Sequence, residues 1–459
     1  MAKQGLRAIA GFPDRSAHAH VEAAPVAFCG ACVRARFLVA AALIALAGCG
    51  QADQPNQQAP APSPTEALRA VAAGDARLAH LYGARSWSTA WTPRTEADLA
   101  NAIGQAEQHG LDKAAFLEPL ARSPSGPAHD AALSLAALTY AQALAQGRTD
   151  PTRLRNPYSV PRPRADLAQG LNEALARGQV GQWLAGLAPQ DAEYRALSQA
   201  YVEANRQVAA AAGHPPDALL ERARTLAVNL ERRRWLERTP PPTRIDVNTA
   251  ATMLTYWRDG AAADSRRVVA GEPGRETPEL GSPLFRLVAN PTWTVPRSIE
   301  HEVDSPASMR RHHMERRDGW IVQQSGPTNS LGLVKFDLRN DQSIYLHDTP
   351  AKGLFSRAER HASHGCVRVF DALGFARMIA EDEGVLDQWD EALATGEESF
   401  VQLPHQIPVR LMYQTAYLDH GRIMIVPDGY GWDEDVAEAL GLPARPRRAA
   451  PPPGQDLGP

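Results

Sequence analysis

The chain has 459 residues, of which 44% are hydrophobic and 22% charged, and this composition is typical of globular proteins. At about 150 residues per domain, the length predicts two or three domains. The formal net charge of −4 argues against nucleic acid or an anionic membrane surface as the binding partner.

The first 48 residues are predicted to form a signal peptide region. Arg34 and Arg36 precede an apolar run at residues 37–47, which is much shorter than the ~20 residues that span a bilayer. The sequence LAGC at residues 46–49 resembles a bacterial lipobox, which implies that Cys49 is lipidated and becomes the mature N-terminus. Gly50 after this cysteine favours the outer membrane. The alternative is an ordinary signal peptide in which Cys49 has no role.

Two further features of this region bear on its interpretation. Residues 1–32 lack signal character, so an over-extended start, with initiation near Val33, is a hypothesis. Cys29 and Cys32 form a CxxC without a second cysteine or histidine pair, and no metal site is predicted there. If Cys49 is acylated, Cys366 is the one free thiol of the mature domains, and an unpaired thiol in an oxidising compartment suggests a function.

An α-helical scaffold domain is predicted for residues 65–238, after a Gln/Pro-rich flexible tether at residues 49–64. The tether ends in a capping box that starts at Ser63 and has Pro64 at the first helical position. Residues 130–147 predict a helix with Asp130 as N-cap and a glycine at its end. Residues 205–237 continue the helical pattern, with an interruption at Pro215 and Pro216.

A mainly β domain is predicted for residues 243–418, because the apolar period changes after the proline-rich residues 239–244. Strands are expected at residues 244–249, 266–271, 332–338 and 343–348, and a hairpin is expected between residues 409–418 and 421–426. One helix is predicted to begin after Asp371 and to end at Gly384. Residues 444–459 are Pro-rich and predicted to be disordered. The fold class is therefore α+β.

The sequence HASHGCVRV at residues 361–369 predicts a nucleophilic cysteine. A cysteine nucleophile needs a base and oxyanion donors. His347, 19 positions before Cys366, ends a predicted strand and is the candidate base, and an imidazolium there would lower the pKa of the thiol. Gly365 and the Cys366 amide could bind an oxyanion, and Arg368, on the same strand face, could bind a carboxylate. The alternatives are a buried structural cysteine, a core histidine and a salt-bridged arginine.

This pattern resembles the L,D-transpeptidase signature of YkuD-type domains. The matching positions are His347, then 15 residues, then Ser363, His364, Gly365, Cys366, Val367 and Arg368. Residues 226–236, 288–299, 326–336 and 345–355 are similar to YcbB-like murein L,D-transpeptidases.

The resemblance implies a periplasmic peptidoglycan enzyme that needs no metal or organic cofactor. Cys366 would attack a donor tetrapeptide stem at its third residue, release D-Ala and form a thioester. An amine of a neighbouring acceptor stem would resolve the thioester to a 3→3 cross-link, with His347 as general acid/base and its ring oriented by the Asp348 carbonyl. Gly365 would contribute to the oxyanion hole, and the substrate-facing or supporting residues would be Ser363, His364, Arg368 and Tyr345.

Other outcomes of the same chemistry stay open at this point. With water as the acceptor, the chain would be an L,D-carboxypeptidase. With a free D-amino acid it would be an exchange enzyme, and with a protein lysine it would be a murein–protein ligase. A non-catalytic murein-binding lipoprotein is a hypothesis of another class, and a sortase- or papain-like peptidase is a third. His364 is as compatible with a structural role as with a substrate-facing one.

The sequence also departs from the YcbB-like pattern. The usual peptidoglycan-binding helical module is not found, and the stretch between Ile299 and Gly326 is shorter than the capping insertion expected there. Residues 310–317, RRHHMERR, are predicted to form a solvated loop over the cleft rather than a metal site. Trp293 and Trp320 are expected to pack in the protein, with sugar stacking as the alternative.

Overall fold

The computed structural model describes residues 62–122, 125–211 and 213–445. The predicted signal region with Cys29, Cys32 and Cys49, nearly all of the tether, and residues 446–459 lie outside the described residues. Within those residues, no helix is both long enough and apolar enough to cross a bilayer. The domain boundaries at residues 65–238 and 243–418 stay predictions.

The first part of the described chain is helical, and we call it the helical half. Its α-helices are α1 (Pro64–Ala72), α2 (Ala76–Ala84), α3 (Pro93–Gly104), α4 (Ala114–Ala121), α5 (Gly126–Gln146), α6 (Leu167–Arg177), α7 (Val180–Leu187), α8 (Ala192–Ala210) and α9 (Asp217–Trp235). The predicted capping box is present: the Ser63 hydroxyl accepts from the Glu66 amide, and the Glu66 carboxylate accepts from the Ser63 amide. The proline pair at residues 215–216 separates α8 from α9, as expected.

Helix α5 lies at the centre of the helical half, and most of its residues are buried. Its many alanines allow the surrounding helices to approach closely on several faces. The prediction that Asp130 caps this helix is wrong, because α5 begins at Gly126, one turn earlier. Asp130 is instead buried and accepts hydrogen bonds from the Ala90 amide (3.0 Å) and the Tyr82 hydroxyl (2.7 Å), so it fixes the α2–α3 connection.

The rest of the chain is rich in strands, and we call it the β-rich half. Its strands are β1 (Arg244–Asn248), β2 (Met253–Arg258), β3 (Ala261–Gly271), β4 (Leu280–Ala289), β5 (Trp293–Thr294), β6 (Met314–Arg317), β7 (Trp320–Gln323), β8 (Val334–Leu338), β9 (Leu346–His347), β10 (His361–Ser363), β11 (Val367–Val369), β12 (Ser399–Met412), β13 (Ala416–Asp419) and β14 (Arg422–Ile425). The main sheet has the order β10-β3-β11-β9-β8-β4-β12-β1-β2. Strand β2 also pairs with β3, so eight strands close into a barrel.

Helices α12 (Ala372–Asp382) and α13 (Leu386–Ala394) pack their apolar faces into the core of this sheet. Asp371 caps α12 through its side chain, as predicted, whereas α13 was not predicted. The strand expected at residues 343–348 is reduced to β9, because Ser343 has a positive φ of 57° that extended strands do not contain. The hairpin is also shorter than expected: it consists of β13 and β14, and residues 409–412 belong to β12 in the main sheet.

Residues 293–323 form a small layer of their own, which we call the capping segment. Strands β5, β7 and β6 form its three-stranded sheet, and helices α10 (Glu300–Val303) and α11 (Pro306–Arg311) precede β6. Trp293, Val295, Ile299, Val303 and Ile321 bury their side chains together beneath it. The capping segment therefore has a small apolar core, which Leu331 joins from outside the segment.

The chain returns to the helical half at its C-terminal end. The β13–β14 hairpin packs against α8, and helix α14 (Trp432–Leu440) packs Val436 and Ala437 against Val228 and Trp235 of α9. An ion pair also joins the two elements at this junction: Arg224 of α9 lies 2.6 Å from Glu434 of α14. Helix α9 is thus shared by the two halves, which explains why so many of its polar residues are buried.

Candidate active site

The backbone register of two short strands brings the predicted catalytic pair together. Strand β11 runs parallel to β9, with Val367 opposite Leu346 and Arg368 opposite His347. Cys366 immediately precedes β11, and the Val367 amide donates to the Tyr345 carbonyl at 3.1 Å. Because side chains alternate between faces, Cys366 and His347 lie on one face of adjacent strands. The 19-residue separation between them is spanned by the loop and the strand β10.

The turn before Cys366 is held by hydrogen bonds to backbone atoms. Gly365 has φ +113°, which residues with a Cβ rarely adopt. Its carbonyl accepts from the Thr277 hydroxyl at 2.8 Å, and its amide donates to the Ser363 hydroxyl at 3.3 Å. The Ser363 hydroxyl in turn donates to the Cys366 carbonyl at 2.5 Å. Ser363 is therefore a buried supporting residue, and the Gly365 amide points at it in the resting structure rather than at a vacant oxyanion position.

His347 is fully buried, and its ring orientation is fixed by its own chain neighbour. Its Nδ1 lies 2.5 Å from the Asp348 carbonyl oxygen, which can only accept, so Nδ1 carries the proton. In the neutral form of this ring, Nε2 is the basic nitrogen, as a general base requires. Asp348 is held in turn: its carboxylate accepts from the Leu333 amide at 3.1 Å and pairs with Lys352.

The sulfur of Cys366 is a buried thiol in the resting structure. Burial raises the pKa of this thiol to about 11, and hydrogen bonds from the backbone and hydroxyl of Tyr345 oppose the rise. Lys335 and Arg368 also favour the thiolate, though more weakly. Sγ lies 3.7 Å from the Ser343 carbonyl, a geometry in which the thiol donates its proton. Desolvation of the thiolate therefore outweighs its nearby donors, and the lower pKa expected beside an imidazolium stays a prediction.

A cleft of about 1020 Å³ opens beside this thiol. Cys366, Gly365 and Tyr345 line its floor, and the capping segment forms one wall with Trp320. Residues 155–157 of the helical half and the C-terminal segment at Tyr430, Trp432 and Asp435 also line the cleft.

The remaining predicted residues divide between the cleft and the protein interior. His364 lines the cleft, and its Nε2 lies 3.9 Å from Glu302; burial lowers the pKa of its ring, and the Arg275 charge lowers it further. Arg368 is fully buried and does not line the cleft, so the carboxylate-binding role expected for it does not fit this geometry. Its positive charge favours the thiolate form of Cys366.

The two tryptophans also have different environments. Trp293 packs in the core of the capping segment with 2% of its surface exposed, as expected. Trp320 is 40% exposed, lines the cleft and stacks on the Arg297 guanidinium at 4.0 Å.

Residues 310–317 span the end of α11 and the strand β6 and are mostly exposed.

Sequence reasoning missed several residues that shape the site. Thr277 lies on another segment that no motif marks, and Lys335 lies within residues 326–336, whose resemblance assigned it no role. Ser343 belongs to the expected strand, where nothing signalled its turn conformation. The walls formed by Asn156 and Tyr430 are more than 60 positions from the cysteine and become part of the site only on folding.

Comparison with known proteins identifies both halves of the chain. Residues 242–386 match the YkuD family model, described as an L,D-transpeptidase catalytic domain, and residues 76–200 match the Scaffold domain. A protein of Haemophilus influenzae (strain ATCC 51907 / DSM 11121 / KW20 / Rd), named "Putative L,D-transpeptidase", is 27% identical over 405 residues, which cover 78% of this chain and 78% of that protein.

Solved structures are similar over part of the chain. A mutant of the Enterococcus faecium L,D-transpeptidase is 13% identical over 39% of this chain and 53% of that one, with a TM-score of 0.21. The L,D-transpeptidase from Mycobacterium smegmatis is 13% identical over 37% of this chain and 58% of that one, also with a TM-score of 0.21. The match thus spans little more than half of these solved chains.

The site and the family matches agree on the type of protein. The family implies peptidoglycan as the substrate class. The chain is an L,D-transpeptidase family enzyme, with an L,D-transpeptidase catalytic domain that follows a Scaffold domain.

Proposed function

We propose that the enzyme forms 3→3 cross-links in peptidoglycan through a thioester on Cys366. The observation that carries the proposal is the pairing of β9 with β11, which sets His347 beside a cysteine that faces a large cleft. No other described cysteine competes for the role.

The first half-reaction transfers the proton of the buried thiol to the leaving amine by way of His347. His347 Nε2 takes this proton as Sγ attacks the carbonyl of the third residue in the donor stem. The tetrahedral intermediate then collapses, the bond to D-Ala breaks, and His347 returns the proton to the D-Ala amine. Because the resting thiol has a pKa of about 11, this transfer has to accompany substrate binding, which brings the electrophile and excludes water.

The second half-reaction reverses the roles. An amine of the acceptor stem attacks the thioester, His347 accepts its proton, and Sγ leaves with that proton restored. The Tyr345 hydroxyl and backbone amide, which already face the sulfur, stabilise the departing thiolate. Burial raises the pKa of the Tyr345 phenol well above its usual value, so it stays a donor throughout.

The identity of the acceptor is decided by product analysis. Purified enzyme is incubated with tetrapeptide-rich sacculi, and the digested muropeptides are weighed by mass spectrometry. We expect 3→3 dimers and an acyl-enzyme mass on Cys366, neither of which forms in Cys366→Ala. Tripeptides without dimers would replace the proposal by an L,D-carboxypeptidase, and D-amino acid or protein adducts by an exchange enzyme or a ligase. An inert wild-type protein would refute acyl transfer and favour a murein-binding lipoprotein.

We also propose that the enzyme faces the periplasm from a lipid anchor at Cys49. The support is the apolar run at residues 37–47 followed by LAGC, both read from the sequence. Metabolic labelling with an alkynyl fatty acid should label the wild type and not Cys49→Ala. Equal labelling of the two would refute the anchor.

A further inference from the structure

The cleft at Cys366 is completed by segments outside the matched catalytic domain. That domain covers residues 242–386, yet residues 155–157 of the helical half also line the cleft. The Scaffold match at residues 76–200 includes them. The helical half therefore does more than support the sheet, because it supplies side chains to the space that substrate occupies.

Backbone bonds fix this segment against the catalytic sheet. Tyr158 forms a parallel bridge with Glu279, which directly precedes β4. The Ser159 amide donates to the Glu279 carbonyl at 2.9 Å, and the Glu279 amide donates to the Pro157 carbonyl at 3.2 Å. The Asn156 side chain adds a 2.7 Å bond to the Glu279 carboxylate. The backbone of residue 155 is therefore held at the cleft by the bonds of its neighbours.

Arg155 presents a cation that lacks a hydrogen-bonded carboxylate. Its side chain is 70% exposed, and its Nε lies 3.6 Å from Asp435, which is beyond hydrogen-bond distance. The other arginines that line the cleft among the described residues are more tightly paired. Arg275 lies 2.6 Å from Glu302, and Arg297 contacts both oxygens of Glu300 at 3.0 Å.

We propose that Arg155 binds a carboxylate of the stem peptide and so makes the helical half part of the specificity site. The inference rests on the proposed function, because the stem peptide is the anionic ligand that this function brings to the cleft. A guanidinium offers a planar set of donors that matches a carboxylate. Arg368, the arginine in the signature, is buried and cannot perform this role.

Steady-state kinetics with a matched control test the proposal. Arg155→Gln should raise KM for the stem peptide about tenfold, because it removes one charge-assisted contact at a partly exposed site. The value of kcat should change less than twofold. Arg155→Lys should recover part of the loss. Arg153→Gln is the control: Arg153 is 86% exposed, lies 3.7 Å from Asp150 and does not line the cleft, so its KM should match the wild type.

Amidated substrates separate recognition from a structural effect. Tetrapeptides amidated at one carboxylate at a time should bind the wild type about tenfold more weakly at the recognised position, and Arg155→Gln should not distinguish that amide from the acid. Acyl-enzyme formation without acceptor assigns the contact to the donor stem, and cross-linking at saturating donor assigns it to the acceptor.

The outcomes are distinct from those of the functional proposal. A wild type that forms no thioester refutes the function. A wild type that cross-links, combined with an Arg155→Gln variant that has unchanged KM or still discriminates acid from amide, overturns only the role of Arg155.

Discussion

The resting state of Cys366 is the most direct test of the site as described. If the thiol has a pKa of about 11 instead of the ordinary 9, its thiolate fraction at neutral pH is about a hundredfold smaller than that of a free cysteine. The thiolate of a weaker acid is more nucleophilic, by about six- to tenfold over two pKa units. Alkylation near pH 7 should therefore be at least tenfold slower than for a free thiol, before restricted access slows it further.

The perturbation is pH, and the assay is alkylation by iodoacetamide. The modified fraction of the peptide that contains Cys366 is followed by mass spectrometry between pH 6 and pH 11, which excludes signal from the other cysteines. The rate should rise about tenfold per pH unit up to at least pH 10, whereas a free cysteine peptide levels off near pH 9. Tyr345→Phe removes a donor to the sulfur and should slow the reaction further, by up to about tenfold.

A specific result would refute this reasoning. If the wild type labels rapidly, levels off below pH 8 and loses that advantage in His347→Ala, a thiolate–imidazolium pair exists at rest. Desolvation would then not dominate the thiol, and proton transfer would precede substrate binding.

Three further predictions concern the groups that support the site. Thr277→Val leaves the Gly365 carbonyl without its 2.8 Å donor, and it should lower the free energy of unfolding by about 1–3 kcal/mol and slow acylation, while Thr277→Ser retains both; equal urea midpoints for Thr277→Val and the wild type would contradict this. Gly332→Ala places a Cβ 2.3 Å from the Asp348 carboxylate at a φ of +63°, so the rate of acylation should fall at least tenfold and the Tm should also fall. Full activity of this variant would show that the position of Asp348 does not orient His347. Burial raises the pKa of Glu279 from 4.5 to about 7, so the carboxyl favours the folded state below pH 4.5 and loses that contribution, up to about 3 kcal/mol, as pH rises to 7. Urea unfolding measured at pH 5 and pH 8 should show this decline in the free energy of unfolding for the wild type but not for Glu279→Gln. An equal change between the two pH values in both proteins would contradict the prediction.

Some of the site could be predicted because its chemistry is local. Cys366, Gly365 and Ser363 lie within one short signature, and the resemblance to the family implied a role for each of them. The 19-residue spacing permitted a pair of His347 and the cysteine on neighbouring strands, and the family signature selected that pair. The Ser63 cap and the Asp371 cap are equally local, and both are present.

Other features escaped prediction because they depend on partners far away in the chain. Asp130 has the residue type of a helix cap, yet it is buried within α5, where amides of the α2–α3 connection bind it. Arg368 looked suited to a substrate carboxylate, and only the packing of β3 and β9 around it shows that it is enclosed.

The sequence alone determined the class of protein and the helical and β-rich order, and it predicted which cysteine and histidine react, because periodicity and a short motif carry that information. The tertiary structure decided the protonation of the thiol and the walls of the cleft. Both depend on which distant segments exclude water and approach the sulfur, and neither solvation nor long-range contact is encoded in any short stretch of residues.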